Sequence, residues 1–111
     1  MIYHIAARAD WDAAQAAGQY TADSLATEGF IHCSTAAQVL GTAARFFAGR
    51  QDLLLLEIDP SRLAAELRYE EGEPGVRFPH LYGPLELSAV VAARAFAPDE
   101  GGRFSLPPGL S

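Results

Sequence analysis

Lysine is absent from this 111-residue sequence, and its eight cationic side chains are all arginines, scattered without a run. With 14 acidic residues the formal net charge is -6. Tight binding to nucleic acid needs a basic patch that releases counterions from phosphates, so a nucleic-acid partner is disfavoured. A single cysteine, Cys33, excludes an internal disulfide and fits a reducing compartment. The leucine run Leu53-Leu54-Leu55-Leu56 is far too short to span a bilayer, and no apolar run is much longer, so no membrane partner is expected. The chain starts directly on Ile2-Tyr3-His4-Ile5, with no basic segment leading into an apolar one, so no signal peptide is expected and the protein reads as cytoplasmic. Internal repeats and low-complexity segments are also missing, apart from a bias towards alanine.

Half of the residues are hydrophobic, which at this length suits one domain around one core. The stretch Gly29-Phe30-Ile31-His32-Cys33-Ser34 is the most informative. It reads as a strand bounded by Gly29 and by the helix-start signal Ser34-Thr35. On such a strand His32 and Ser34 share one face, and Ile31 and Cys33 share the other. That division makes His32 and Ser34 candidates for a cleft and Cys33 a small core residue. A second strand, about 2–6, carries His4.

The remaining elements follow from period and punctuation. Asp10 is placed to cap a helix through Trp11, Ala14 and Ala17 that Gly18 stops. Gln19-Tyr20-Thr21 reads as an extended link and Asp23 or Ser24 as the start of one helical turn. From Thr35 a helix is expected with Val39, Ala43, Phe46 and Phe47 on its apolar face, stopped at Gly49. Residues 52–59 are apolar on both faces until Glu57, as in the middle of a sheet. A short strand is expected over 67–70, then a loop over 71–75. Phe78-Pro79-His80-Leu81-Tyr82-Gly83-Pro84-Leu85 is dense in proline and glycine, which predicts an ordered loop over the site rather than a central strand. Residues 87–96 return to strand character, with Val90, Val91 and Phe96 as core candidates. From Pro98 onwards an extended or frayed tail is expected. The pattern predicts one compact α+β domain over 1–97, with early helices on a mostly antiparallel sheet, and a tail over 98–111.

Three histidines, His4, His32 and His80, all lie in aromatic, glycine-flanked blocks of the kind that build sites. Three imidazoles with an open fourth position suit zinc, but no pair has the one-turn spacing of a metal site, and none is assigned. Cys33 beside His32 would point away from it, so a cysteine nucleophile is not expected. Ser34 lacks the Gly-x-Ser-x-Gly context of a nucleophile and suits positioning. Glu70, Glu71 and Glu73 form an acidic cluster near the expected cleft, able to stabilise an oxocarbenium-like state. Tyr3, Tyr20, Tyr69 and Tyr82 offer stacking faces, and Arg45, Arg68 and Arg77 are candidate phosphate contacts.

Taken in order, the blocks Ile2-Tyr3-His4-Ile5, Ser24-Leu25, Glu28 to Ser34 and Phe78 to Leu85 resemble the small bacterial domain-of-unknown-function family nine-five-two, from Ile2 to about Phe96. More distantly they are similar to the ADP-ribosyltransferase-like superfamily, near the RNA 2′-phosphotransferase branch. Tyr3-His4 resembles that superfamily's opening Tyr-His, whose histidine holds the adenosine-side ribose of NAD. Ile31-His32-Cys33-Ser34 resembles the second histidine block of the phosphotransferase branch. His4 is followed here by Ile5-Ala6 instead of the usual Gly-Thr or Gly-Ser, and the superfamily glutamate has no clear match: Glu70 or Glu71 could serve, or the position is absent, as in some branches. No arginine flanks His4 or His32, so a 2′-phosphorylated RNA is not supported. The resemblance implies an ADP-ribosyltransferase-like fold that takes NAD or a nucleotide-like small molecule as substrate. His4, Ser24, His32, Ser34, His80 and Tyr82 would contact the ligand, and His4, His32 and Glu70 or Glu71 would carry cleavage of the nicotinamide N-glycosidic bond. The alternatives are a non-catalytic small-ligand module and a histidine-based metal hydrolase.

Overall fold

The computed structural model describes residues 1–110. Its centre is the strand β4 (Leu53–Ile58), which lies between β1 (Ile2–Ala7) and β8 (Val90–Ala95) in an antiparallel three-stranded sheet. Leu53 to Leu56 and Ile58 are all buried, as an apolar run expected in mid-sheet must be when both faces are covered. One face packs on α3 (Ala36–Phe46) through Val39 and Ala43. The other packs on the remaining strands through Ile2, Leu54, Leu56 and Ile58.

The helices begin and end where local chemistry allows, with two departures. Helix α1 (Arg8–Ala17) follows β1 without a linker, so Ala7, not Asp10, stands at its N-cap. Asp10 instead occupies the first turn, where a carboxylate complements the helix dipole. Gly18 ends the helix with φ 85°, a left-handed conformation that suits glycine. The short α2 (Asp23–Thr27) forms where a single turn is expected. Helix α3 starts after Thr35, whose backbone N–H donates to Gln38 Oε1 at 3.0 Å. Phe46 does not join its buried face and is 68% exposed. Phe47, at the C-cap where the backbone leaves the helical path, packs on the core in its place.

The largest correction concerns residues 78–85. They form no loop: β6 (Val76–Tyr82) is the middle strand of a second antiparallel sheet, between β3 (Ile31–His32) and β5 (Glu66–Glu73). Pro79 is tolerated because its carbonyl accepts from Cys33 on the β3 side, so its missing N–H faces that side too. There the ladder is only two residues long, and the pairing with β5 loses no donor. Strand β5 also runs further than 67–70 and takes in Glu71, leaving Pro74-Gly75 as the turn. Residues 87–89 form one tight helical turn before β8, and Val91 faces solvent at 41% exposure while Phe96 is buried. A two-residue pair of β2 (Gln19–Tyr20) with β7 (Leu85–Glu86) completes an α+β architecture in which every strand pair is antiparallel. Beyond Ala97 there is no strand or helix among the described residues, yet Phe104 is buried with its ring 5.0 Å from Phe96. None of the described helices is long and apolar enough to cross a membrane.

Candidate functional site

The two three-stranded sheets meet where Tyr3 on β1 exchanges backbone hydrogen bonds with Ser34, both at 2.8 Å. A cleft of about 660 Å³ opens along this seam, within the range of small-molecule sites. Its wall includes His4, Ser24, His32, Ser34, Glu71 and His80. Of the expected ligand and catalytic residues, only Glu70 and Tyr82 are not on the wall, and both stand behind His80.

The three histidines have different surroundings. His4 is buried, with Nδ1 2.5 Å from the His32 carbonyl and Nε2 2.8 Å from the Tyr20 hydroxyl. A carbonyl only accepts, so Nδ1 carries the proton and Nε2 accepts from Tyr20. Burial lowers the His4 pKa to about 4, against the opposing pull of the His32 carbonyl, so the ring is neutral at pH 7. Both nitrogens are therefore committed within the protein. Burial likewise raises the Tyr20 hydroxyl, with Asp10 and Cys33 adding to the shift. Trp11 lies against the other side of Tyr20, ring centroids 6.3 Å apart.

His32 and His80 face each other in register on β3 and β6, with ring centroids 5.6 Å apart. Each has its own carboxylate. His32 Nε2 is 2.9 Å from Glu28 in an exposed pair, and the nearly buried His80 places Nδ1 2.9 Å from Glu70 Oε1. The same Glu70 oxygen accepts from the Tyr82 hydroxyl. Those bonds, Tyr82 first and His80 second, hold the Glu70 carboxyl below its ordinary range. Phe30 lies on the His80 ring at 4.0 Å and 17°, and meets His32 edge-on at 4.8 Å. Cross-strand pairing accounts for this grouping. His32, His80 and Arg68 are successive register partners and share one face of the second sheet, while Ile31, Leu81 and Leu67 share the face that enters the core.

The strand reading of Ser34 holds only in part, because β3 ends at His32. Ser34 is buried on the cleft wall, its Oγ 3.3 Å from Thr42 Oγ1. Cys33 is in the core, where burial pushes its thiol up to about 12 and keeps it protonated at pH 7. Ser24 donates to the Phe30 carbonyl at 2.7 Å, which fixes the turn that presents Phe30. Arg45 and Arg68 are paired with Glu73 and Glu66, so neither is a free phosphate contact. Glu28, Phe30 and Thr42 were not singled out by sequence. Phe30 stands two residues before His32, a same-face spacing from which it could have been found. Among the described residues no group of three His, Cys, Asp or Glu side chains is placed to hold a metal ion, and the three histidines do not converge.

Residues 5–93 match the family described as Protein of unknown function (DUF952). The chain belongs to this family. Solved structures similar to this DUF952 chain come from Caulobacter crescentus. The X-ray crystal structure of protein CC0527 is 40% identical and superposes with a TM-score of 0.86 over 95% of this chain and 93% of that one. A double mutant of CC0527 is 39% identical, with a TM-score of 0.86 over 95% and 93%. The solution NMR structure of CC0527 is 40% identical, with a TM-score of 0.80 over 92% and 89%. Among curated proteins none matches the chain.

Proposed function

We propose that this DUF952 domain binds an NAD-like nucleotide in the seam cleft and cleaves the bond between its nicotinamide and ribose, as an ADP-ribosyltransferase-like enzyme. The observation that carries the reading is that one cleft draws on six of the eight residues the superfamily resemblance implies, His4, Ser24, His32, Ser34, Glu71 and His80. His32 and Ser34 orient the ligand, and Phe30 offers a flat face to a ring. Glu71 stabilises positive charge on the ribose as the N-glycosidic bond lengthens. His4 shapes the wall through Tyr20 and does not itself bind ribose, because both its nitrogens are taken.

Isothermal calorimetry with NAD tests this. Heat is expected with wild type, and affinity is expected to fall about tenfold in His32→Ala, the loss of one good polar contact. No heat at millimolar NAD would sink the proposal.

A second reading, a non-catalytic module for a neutral or cationic small ligand, is favoured by the charge of the wall. Asp10, Asp23, Glu28, Glu71 and Glu73 line the cleft, whereas its arginines, Arg45 and Arg50, are paired with Glu73 and Asp52. It predicts a larger thermal shift with nicotinamide riboside, which is cationic and lacks phosphate, than with NAD, and no turnover of either.

A further inference from the structure

We propose that His80 is the general base of the cleft and that Glu70 is the residue that positions it. The inference deepens the glycosidic-cleavage reading and rests on it for its substrate, but the base itself stands on separate geometry. Glu70 is an acceptor, so His80 Nδ1 must carry the proton of their 2.9 Å bond, and Nε2 is left with its lone pair. Nε2 has no partner in the protein and is not among the side-chain atoms sealed from solvent, and His80 lines the cleft. An imidazole with one nitrogen held by a carboxylate and the other unpaired and open to solvent, in a residue that lines a cleft, is arranged to accept a proton.

Three contacts hold the ring in this pose. Glu70 fixes its tautomer, Tyr82 fixes Glu70 through the same oxygen, and Phe30 covers the face of the ring at 4.0 Å. His32 lacks this support, because its partner Glu28 and its own side chain are both about half exposed. His4 has no free nitrogen. Only His80 combines a fixed tautomer, near-complete burial and an open nitrogen.

His80 Nε2 takes the proton of a hydroxyl as that oxygen bonds to the anomeric carbon of the ribosyl group. The bond from this carbon to the nicotinamide nitrogen breaks, and its electron pair stays on the nitrogen, which loses its positive charge. Glu70 remains ionised and stabilises the imidazolium. The hydroxyl is that of water or of an alcohol acceptor.

Histidine-labelled protein without ligand tests the base directly. Two-bond proton–nitrogen spectra above neutral pH should show His80 as the Nδ1–H tautomer in wild type, and a mixture of both tautomers in Glu70→Gln. Diethyl pyrocarbonate, followed by mass spectrometry, should acylate His80 ahead of His4. An Nε2–H tautomer in wild type, or a His80 that reacts no faster than His4, overturns the proposal, and neither result depends on NAD. With NAD, nicotinamide release should fall about 100-fold in Glu70→Gln with binding heat retained. Unchanged release with NAD bound also overturns it. If wild type binds no NAD, the substrate reading fails alone, and the tautomer and acylation results decide the base.

Discussion

His4 is the clearest case of a residue whose chemistry is set by its surroundings rather than its type. Its pKa is lowered from 6.5 to about 4 by burial, so between those values the unfolded chain binds a proton that the folded chain refuses. Stability therefore rises with pH across this window. It is fully present above 6.5 and lost as pH falls towards 4, by about 3 kcal/mol in all. Urea unfolding of wild type from pH 7 to pH 4.5 should show that decline, and His4→Gln should flatten it. Glu70 and Glu66, whose carboxyls are held low by hydrogen bonds, act in the same direction but only below their ordinary value of 4.5, so the two windows separate. Sequence placed His4 and His32 near one another but read both as ligand contacts. What it could not show is that Tyr20, 16 positions away, reaches the second His4 nitrogen. A short strand pattern gives no account of which distant hydroxyl closes a bond.

Among the elements, the short second sheet does most to form the site, and it is the part that sequence reasoning misjudged. The apolar period predicted β4, β1 and the end of the first helix well, because each is settled by local burial or a nearby stop signal. Strand β6 was hidden by Pro79 and Gly83, which count against a central strand unless the length of the neighbouring ladder is known. Gly83 has its own reason to lack a side chain. A Cβ there would lie 2.7 Å from the Ala65 Cβ, just before β5 begins. Gly83→Ala should therefore cost about 2 kcal/mol by overpacking, read as a lower urea midpoint. Gly75→Ala, which meets no neighbouring atom but has φ 76°, should show only the smaller penalty of its turn conformation.

Across the whole molecule, the segment beyond β8 adds a buried aromatic ring to the core. Phe104 packs on Phe96 under the sheet face that α3 covers, and Leu106 and Leu110 join it. Composition alone, with Pro107-Pro108-Gly109, suggested a tail, because no periodic pattern marks a single buried aromatic. Phe104→Ala should destabilise the domain by about 3 kcal/mol in urea, as a large-to-small change in a packed cluster does. Removal of residues 98–111 should cost at least as much. A truncated chain with unchanged stability would show that these contacts are dispensable.

Trp11 is the one tryptophan of the sequence and rests on Tyr20, the residue whose hydroxyl closes over His4 in the cleft wall. The domain therefore carries its own optical probe. Its indole emission reports the ring beside the cleft without any label, so occupancy that moves Tyr20 can be followed as a change in fluorescence in the unmodified protein.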